Sequence, residues 1–158
     1  MKQDENVKSV GTVEINVEHK NGMQETFNIS NIVLKTGRET LAKVLANDIG
    51  DSFKFFVTSM LFGDGGSEGG VKKYVNSERN GLFGITRLSK PVISNINNSL
   101  PSQVIFTSVI TFDELNAVVL NEMALQLADG NIYSMTTFPD LTKTSEMQIT
   151  FNWRLNFV

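Results

Sequence analysis

Residues 147–157 read MQITFNWRLNF. Met147, Ile149, Phe151, Trp153, Leu155 and Phe157 alternate without a break with Gln148, Thr150, Asn152, Arg154 and Asn156. Successive side chains of a strand point to opposite faces, so this period of two is a long β-strand with one apolar and one polar face. The apolar face requires a second apolar layer to pack on. Trp153, the chain's single tryptophan, belongs to that packing. Because the pattern persists to Phe157, this end of the chain is expected to be ordered.

The same period recurs near the start. Val13, Ile15 and Val17 alternate with Glu14, Asn16 and Glu18, and a return strand carries Met23, Phe27 and Ile29. Register decides the turn between them. A two-residue loop at Asn21-Gly22 pairs Ile15 with Asn28 and sets the apolar residues on opposite faces. A three-residue loop, Lys20-Asn21-Gly22, pairs Val13 with Ile29 and Ile15 with Phe27, which puts them on one face. The second predicts a type I turn followed by Gly22 in the left-handed region. A parallel argument applies to VLNEMALQLADGNIYSMTTF. A three-residue loop, Ala128-Asp129-Gly130, pairs Leu125 with Tyr133 and Met123 with Met135. It sends Glu122 to the other face with Leu120, Ala124 and Gln126.

Between these hairpins, VLKTGRETLAKVLANDIG predicts an amphipathic helix over about residues 37–47. Thr36 and Glu39 have the spacing of a capping box, Leu41, Val44 and Leu45 share a face that would pack on a sheet, and Asn47 and Gly50 are stop signals. The apolar run Phe53–Phe62 reads as a buried strand, with a helix as the alternative that its pattern also allows. It ends in GDGGSEGG at residues 63–70. No G-K-[ST] follows, so this is not a phosphate-binding P-loop, and Asp64 and Glu68 are too few and wrongly spaced for a calcium loop. A glycine-rich connection that displays a binding loop is the better reading. Residues 71–100 predict long, partly exposed loops with a brief strand at LFGI and, bracketed by Pro91 and Pro101, an extended segment with an Asn/Ser-rich turn at 95–99. QVIFTSVITF from Gln103 is a strand rich in β-branched residues, and Asp113–Asn116 make a turn.

Several short strands, one helix and no βαβ alternation indicate a mainly antiparallel β-sandwich with one short helix. The 158 residues suit one domain, residues 12–158, preceded by a flexible arm at 1–11. Composition narrows function mostly by exclusion. No cysteine is present, so thiolate chemistry and disulfides are excluded. His19 is the single histidine and lies beside a hairpin turn, where a solvated role is expected; one histidine is a poor basis for zinc or for a nucleophile–histidine–acid triad. A net charge of −3 gives no reason to expect direct nucleic-acid binding, and no apolar run is long enough to span a bilayer. A glycosidase would need two converging carboxylates. Asp113, Glu114 and Glu122 are the cluster to test, but Asp113 and Glu114 serve the turn, and an isolated Glu122 on a strand's second face is expected to be solvated or paired. No catalytic, cofactor-binding or metal residue is assigned.

The order of three blocks resembles the N-terminal domain family of tailed-phage fibre and collar proteins. The blocks are LKTGRETLAKVLA at Leu34–Ala46, MLFGDGG at Met60–Gly66, and a third that begins at Glu122-Met123-Ala124-Leu125. The third continues through Asp129-Gly130, Ile132–Ser134, Pro139 and Lys143 to the terminal strand. Together they cover roughly residues 32–158. Ala124 stands where that family usually has glycine. The resemblance implies a non-catalytic virion component without a fibre shaft, assembled in the bacterial cytoplasm by contacts with other virion proteins and with copies of itself. A tail, baseplate, collar or fibre-attachment position is favoured, with capsid decoration as the alternative. The interface expected is the loop bearing Asp64, Glu68, Lys72, Lys73, Tyr74, Arg79 and Phe83. A carbohydrate-binding module is the competing class, with Tyr74, Phe83 and Tyr133 as candidate aromatics, although Tyr133 fits the core register better.

Overall fold

The computed structural model describes residues 8–50 and 55–158. The elements are β1 (Ser9–His19), β2 (Gln24–Ser30), β3 (Ile32–Val33), α1 (Lys35–Leu45), β4 (Val57–Gly63), β5 (Ser67–Glu68), β6 (Val71–Lys72), β7 (Thr86–Pro91), β8 (Ile93–Ile96), β9 (Gln103–Ile110), β10 (Val119–Leu127), β11 (Ile132–Thr142) and β12 (Met147–Phe157). Two five-stranded antiparallel sheets, β2-β1-β12-β9-β8 and β3-β11-β10-β4-β7, pack as a β-sandwich. The fold class read from the sequence is the fold observed.

The alternating strand β12 lies at the centre of the first sheet, paired along its length with β1 and β9. Its apolar members Ile149, Phe151, Trp153 and Leu155 are buried with Val13, Ile15 and Val17 of β1. Phe151 meets Phe62 of the opposite sheet with ring centroids 4.6 Å apart. Because β12 extends to Phe157 and needs a ladder partner there, Ser9–Gly11 are strand rather than arm; Ser9 pairs with Phe157, and Lys8 and Val158 exchange backbone hydrogen bonds of 2.7 and 2.9 Å. Residues 1–7 of the expected arm lie outside the described residues, as does Phe53; Phe55 and Phe56 form a bend, and the strand predicted there begins at Val57.

The chain bends from one sheet into the other twice. At Asn31, β2 of the first sheet gives way to β3 of the second; at Val92, β7 of the second gives way to β8 of the first. These bends join the sandwich along both edges. The second one replaces the long loops expected in 71–100. Strands β7 and β8 are exposed along most of their length, so they lack the apolar alternation that reveals a half-buried strand. Pro91 closes β7 at the sheet edge, where a missing N–H is tolerated. LFGI is not a strand, and the Asn/Ser turn falls at Asn97–Ser102.

The first hairpin has the predicted register, Val13 with Ile29 and Ile15 with Phe27, with Gly22 at φ 88°. The second has the predicted turn, with Gly130 at φ 90° and its N–H bonded to Leu127. Beyond that turn a bulge shifts the ladder by one residue, so Leu125 pairs with Ser134 and Met123 with Thr136. A further irregularity between Leu120 and Glu122 leaves Leu120 in the core with Met123, not on the face of Glu122.

Helix α1 starts without the capping box. Leu34 is the N-cap, Thr36 lies inside the helix and its hydroxyl donates to the Ile132 carbonyl, and Glu39 is exposed. The cap is tertiary instead: the Lys35 N–H donates to Ser77 O at 2.8 Å. The helix ends in a Schellman motif, with Asn47 at φ 52° and bonds from Asn47 to Val44 and Asp48 to Lys43. Of the expected apolar stripe only Leu41 packs on the core. Val44 is 42% and Leu45 88% exposed, and the helix rests on Gly37, Thr40 and Leu41. A Cβ at Gly37 would overlap the Tyr133 carbonyl. Gly37→Ala is therefore expected to destabilise by about 3 kcal/mol, whereas Gly50→Ala, which meets nothing, should change stability by less than about 1 kcal/mol; urea denaturation compares them.

The β9–β10 connection is the predicted turn, held more tightly than its residue types suggest. Leu115 and Ala117 have φ of 53° and 66°, a left-handed geometry unfavourable to any residue with a Cβ. The fully buried Lys143 ammonium anchors it, donating to Phe112 O, Asn116 Oδ1 and Thr144 O at 3.2, 3.0 and 2.8 Å. Burial lowers the Lys143 pKa, against the opposing pull of Asp113 and Glu114. Glu114 accepts from Lys90 at 2.8 Å and from the Thr111 N–H at 2.9 Å, and these bonds hold its carboxyl below the ordinary range. A carboxyl whose folded pKa is depressed stabilises above its unfolded pKa and loses that contribution as pH falls through the folded one. Glu114→Gln should accordingly be less stable than wild type at neutral pH, with the difference closing on acidification below the ordinary carboxylate range; denaturation midpoints across that range test this.

Candidate functional site

Strand β10 is buried on both faces for most of its length. One face meets the other sheet. The second is covered by a third layer made of α1's first turn and the segment from Val71 to Gly84, over a small core of Leu34, Leu61, Val75, Ala124, Ile132 and Met135. Glu122 points into this layer. It is fully buried rather than solvated, and has no ion-pair partner among the described residues. Its Oε1 accepts the N–H groups of Gly65 and Gly84, each at 2.9 Å, and its Oε2 accepts the N–H of Phe83 at 2.7 Å. Three backbone donors on one carboxylate satisfy a charge removed from water.

The neighbouring Asn121, also buried, continues the clamp. Its Oδ1 accepts the Gly66 N–H at 2.7 Å, and its Nδ2 donates to Ser67 Oγ and Asp140 Oδ1, each at 3.0 Å. Ser67 Oγ, and then Asn121, hold the Asp140 carboxyl below its usual pKa. The irregular pairing at Asn121 lets two consecutive side chains turn outward.

The glycines are required by this approach. A Cβ on Gly66 would overlap the Asn121 carbonyl, one on Gly65 the Gly84 backbone, and one on Gly63 would crowd Glu122 Oε1 at 2.7 Å. The stretch expected as a connection is also a small hairpin, β5 with β6, turned at Gly69 and Gly70, both with positive φ. Asp64 is bound to Arg87 at 2.8 Å, Glu68 is exposed in β5, and Lys72 is exposed in β6. Lys73, Arg79 and Phe83 come together: Arg79 stacks 3.7 Å from the Phe83 ring centroid, with Lys73 Nζ at 5.2 Å. Arg79 also donates to Gly81 O and Leu82 O at 3.3 and 3.0 Å. Tyr74 stands 85% exposed beside them, whereas Tyr133 is buried in the core. Residues 71–90 carry five of the chain's 14 cations and one carboxylate.

Of the three carboxylates weighed as a catalytic cluster, Asp113 and Glu114 share the β9–β10 turn and Glu122 lies apart from it in β10. Glu114 serves the β9–β10 turn and Glu122 the loop clamp. Among the described residues, no three of His, Cys, Asp or Glu gather as a metal site requires, and no helix is long and apolar enough to cross a membrane. His19 is half-buried and bonded to Glu25 at 2.9 Å, so it is less solvated than expected. The sequence reading missed the joint role of Asn121 and Glu122. The available signal was a carboxylate inside an apolar run, in a chain with a glycine-rich loop able to supply unhindered N–H groups.

No protein-family model matches the chain, and comparisons with curated proteins and with solved structures return no match.

Replacing Glu122 by Gln keeps the shape but turns an amide N–H₂ toward backbone N–H groups. The expected cost is about 3 kcal/mol, with faster amide exchange at Gly65, Phe83 and Gly84. A change below about 0.5 kcal/mol, the size of an ordinary surface effect, would remove the clamp from the account.

Proposed function

We propose that the protein is a non-catalytic structural component of a tailed-phage virion, acting by protein–protein assembly at the tail, baseplate, collar or a fibre attachment. The observation that carries the assembly reading is the clamp. Glu122, the carboxylate most enclosed by the fold, uses both oxygens to fix two loops, and those loops hold Lys72, Lys73, Tyr74 and Arg79 at the surface. A rigid scaffold presenting an exposed aromatic among cations is suited to docking on another protein. The surplus of positive charge points to an acidic patch on that partner. The virion setting rests on the resemblance of the three sequence blocks, and capsid decoration is the alternative position.

In density-gradient-purified particles of the phage that encodes it, the chain should appear at a fixed copy number. The variant Lys72→Glu/Lys73→Glu/Tyr74→Ala should accumulate folded in infected cells yet be depleted from particles at least tenfold. Wild-type chain missing from particles would overturn the virion reading; full incorporation of the variant would overturn this face as the contact. The 85% exposure of Tyr74 favours a second reading, a carbohydrate-binding surface, which a glycan array with the Tyr74→Ala control would detect.

A further inference from the structure

Helix α1 stands on a narrow footing, and the space beside it is open. On one side lies a groove of about 580 Å³ whose lining, among the described residues, contains no charged side chain. On the other, where the start of β1, β3 and the end of β12 meet, lies a groove of about 660 Å³, a volume within the usual range for small-molecule sites. Its walls are apolar, chiefly Val10, Ile32, Val33, Leu41, Leu45 and Phe157. Two cations, Lys8 and Arg38, also line it, and among the described residues no carboxylate side chain does.

Arg38 uses one N–H on Val33 O at 3.2 Å, which leaves most of its five donors available. Neither Lys8 nor Arg38 has an ion-pair partner among the described residues. Asn31, at the bend between the sheets, also lines this groove. Its side-chain nitrogen and oxygen are both buried without a protein hydrogen-bond partner, a costly state for an amide. Apolar walls with cations, and no opposing carboxylate among the described residues, are complementary to a molecule with an alkyl chain and an anionic head.

We infer that this groove binds a free single-chain amphipathic anion of the medium-chain alkyl carboxylate class. The chain lies along Val10, Ile32, Leu41 and Phe157, and the carboxylate lies between Lys8 and Arg38. The site borders the loop face at Ile32, which also lines a shallow pocket with Lys72, Lys73 and Tyr74.

Isothermal titration of the full chain with sodium decanoate below its micelle concentration tests this, with decyltrimethylammonium as the cation of equal chain length. One-to-one binding of decanoate is expected, with at least tenfold weaker binding of the cation. Each added CH₂ should tighten binding about fourfold. Arg38→Glu should weaken decanoate at least tenfold, and Ala42→Trp, placed in the same groove, should abolish binding. Lys8→Glu provides the same charge test if Arg38→Glu fails to fold by circular dichroism. Equal affinity for anion and cation, or decanoate binding unchanged in the charge variant, would overturn the proposal in favour of simple apolar uptake, which the uncharged groove also offers. No decanoate binding would refute it, and co-sedimentation with phosphatidylglycerol vesicles in its place would assign the surface to a membrane.

Discussion

A carboxylate taken out of water has to find donors for both oxygens, and in this protein that requirement shapes everything on the outer side of the second sheet. Glu122 takes N–H groups from Gly65, Phe83 and Gly84, which belong to two loops far from it in sequence. Drawing them to one point brings the Val71–Gly84 segment down over the sheet as a third layer. That layer in turn supplies Ser77 O to the first turn of α1. The helix cap, the small second core and the display of Tyr74 therefore all lie downstream of one buried charge. The arrangement is polar but fully satisfied, the condition under which a buried network stabilises rather than penalises a fold.

Legibility followed burial. Strand β12 is buried on one face only, so its alternation gave strand, face and core residues at once. The Lys20-Asn21-Gly22 turn was equally legible, because only one register keeps Val13, Ile15, Phe27 and Ile29 together. In the second hairpin the same argument found the turn and missed the pairing. Strands β10 and β11 are covered on both faces, so a bulge exposes no apolar residue and leaves no trace in the pattern. Strands β7 and β8 were missed for the converse reason, being exposed on both sides. The capping box failed because the helix start is set by Leu34 in the small core and by a carbonyl of a distant loop. As for the site, the loop residues were legible as surface, while the clamp beneath them depends on contacts more than 35 residues apart in the chain.

The molecule has two unlike surfaces. Over Glu122, cations and aromatics are held on clamped loops, which suits recognition of another macromolecule. Around α1, apolar grooves flank a helix that meets the sandwich through Gly37, Thr40 and Leu41. The first surface is held from beneath because Glu122 and Asn121 bind the backbone of its loops. The second is open because the helix contributes so little of its apolar face to the core.

The pairing of β1 with β12 has a mechanical consequence. Ser9 lies opposite Phe157 and His19 opposite Met147, so tension applied through Lys8 and Val158 loads one rung of the ladder at a time. The two central strands of the first sheet would peel apart from that end like a zipper, under far less force than shearing all eleven pairs together. A position within a load-bearing assembly would therefore favour transmission of force across the face of the sandwich, through its clamped loops, over transmission through the ends of β1 and β12.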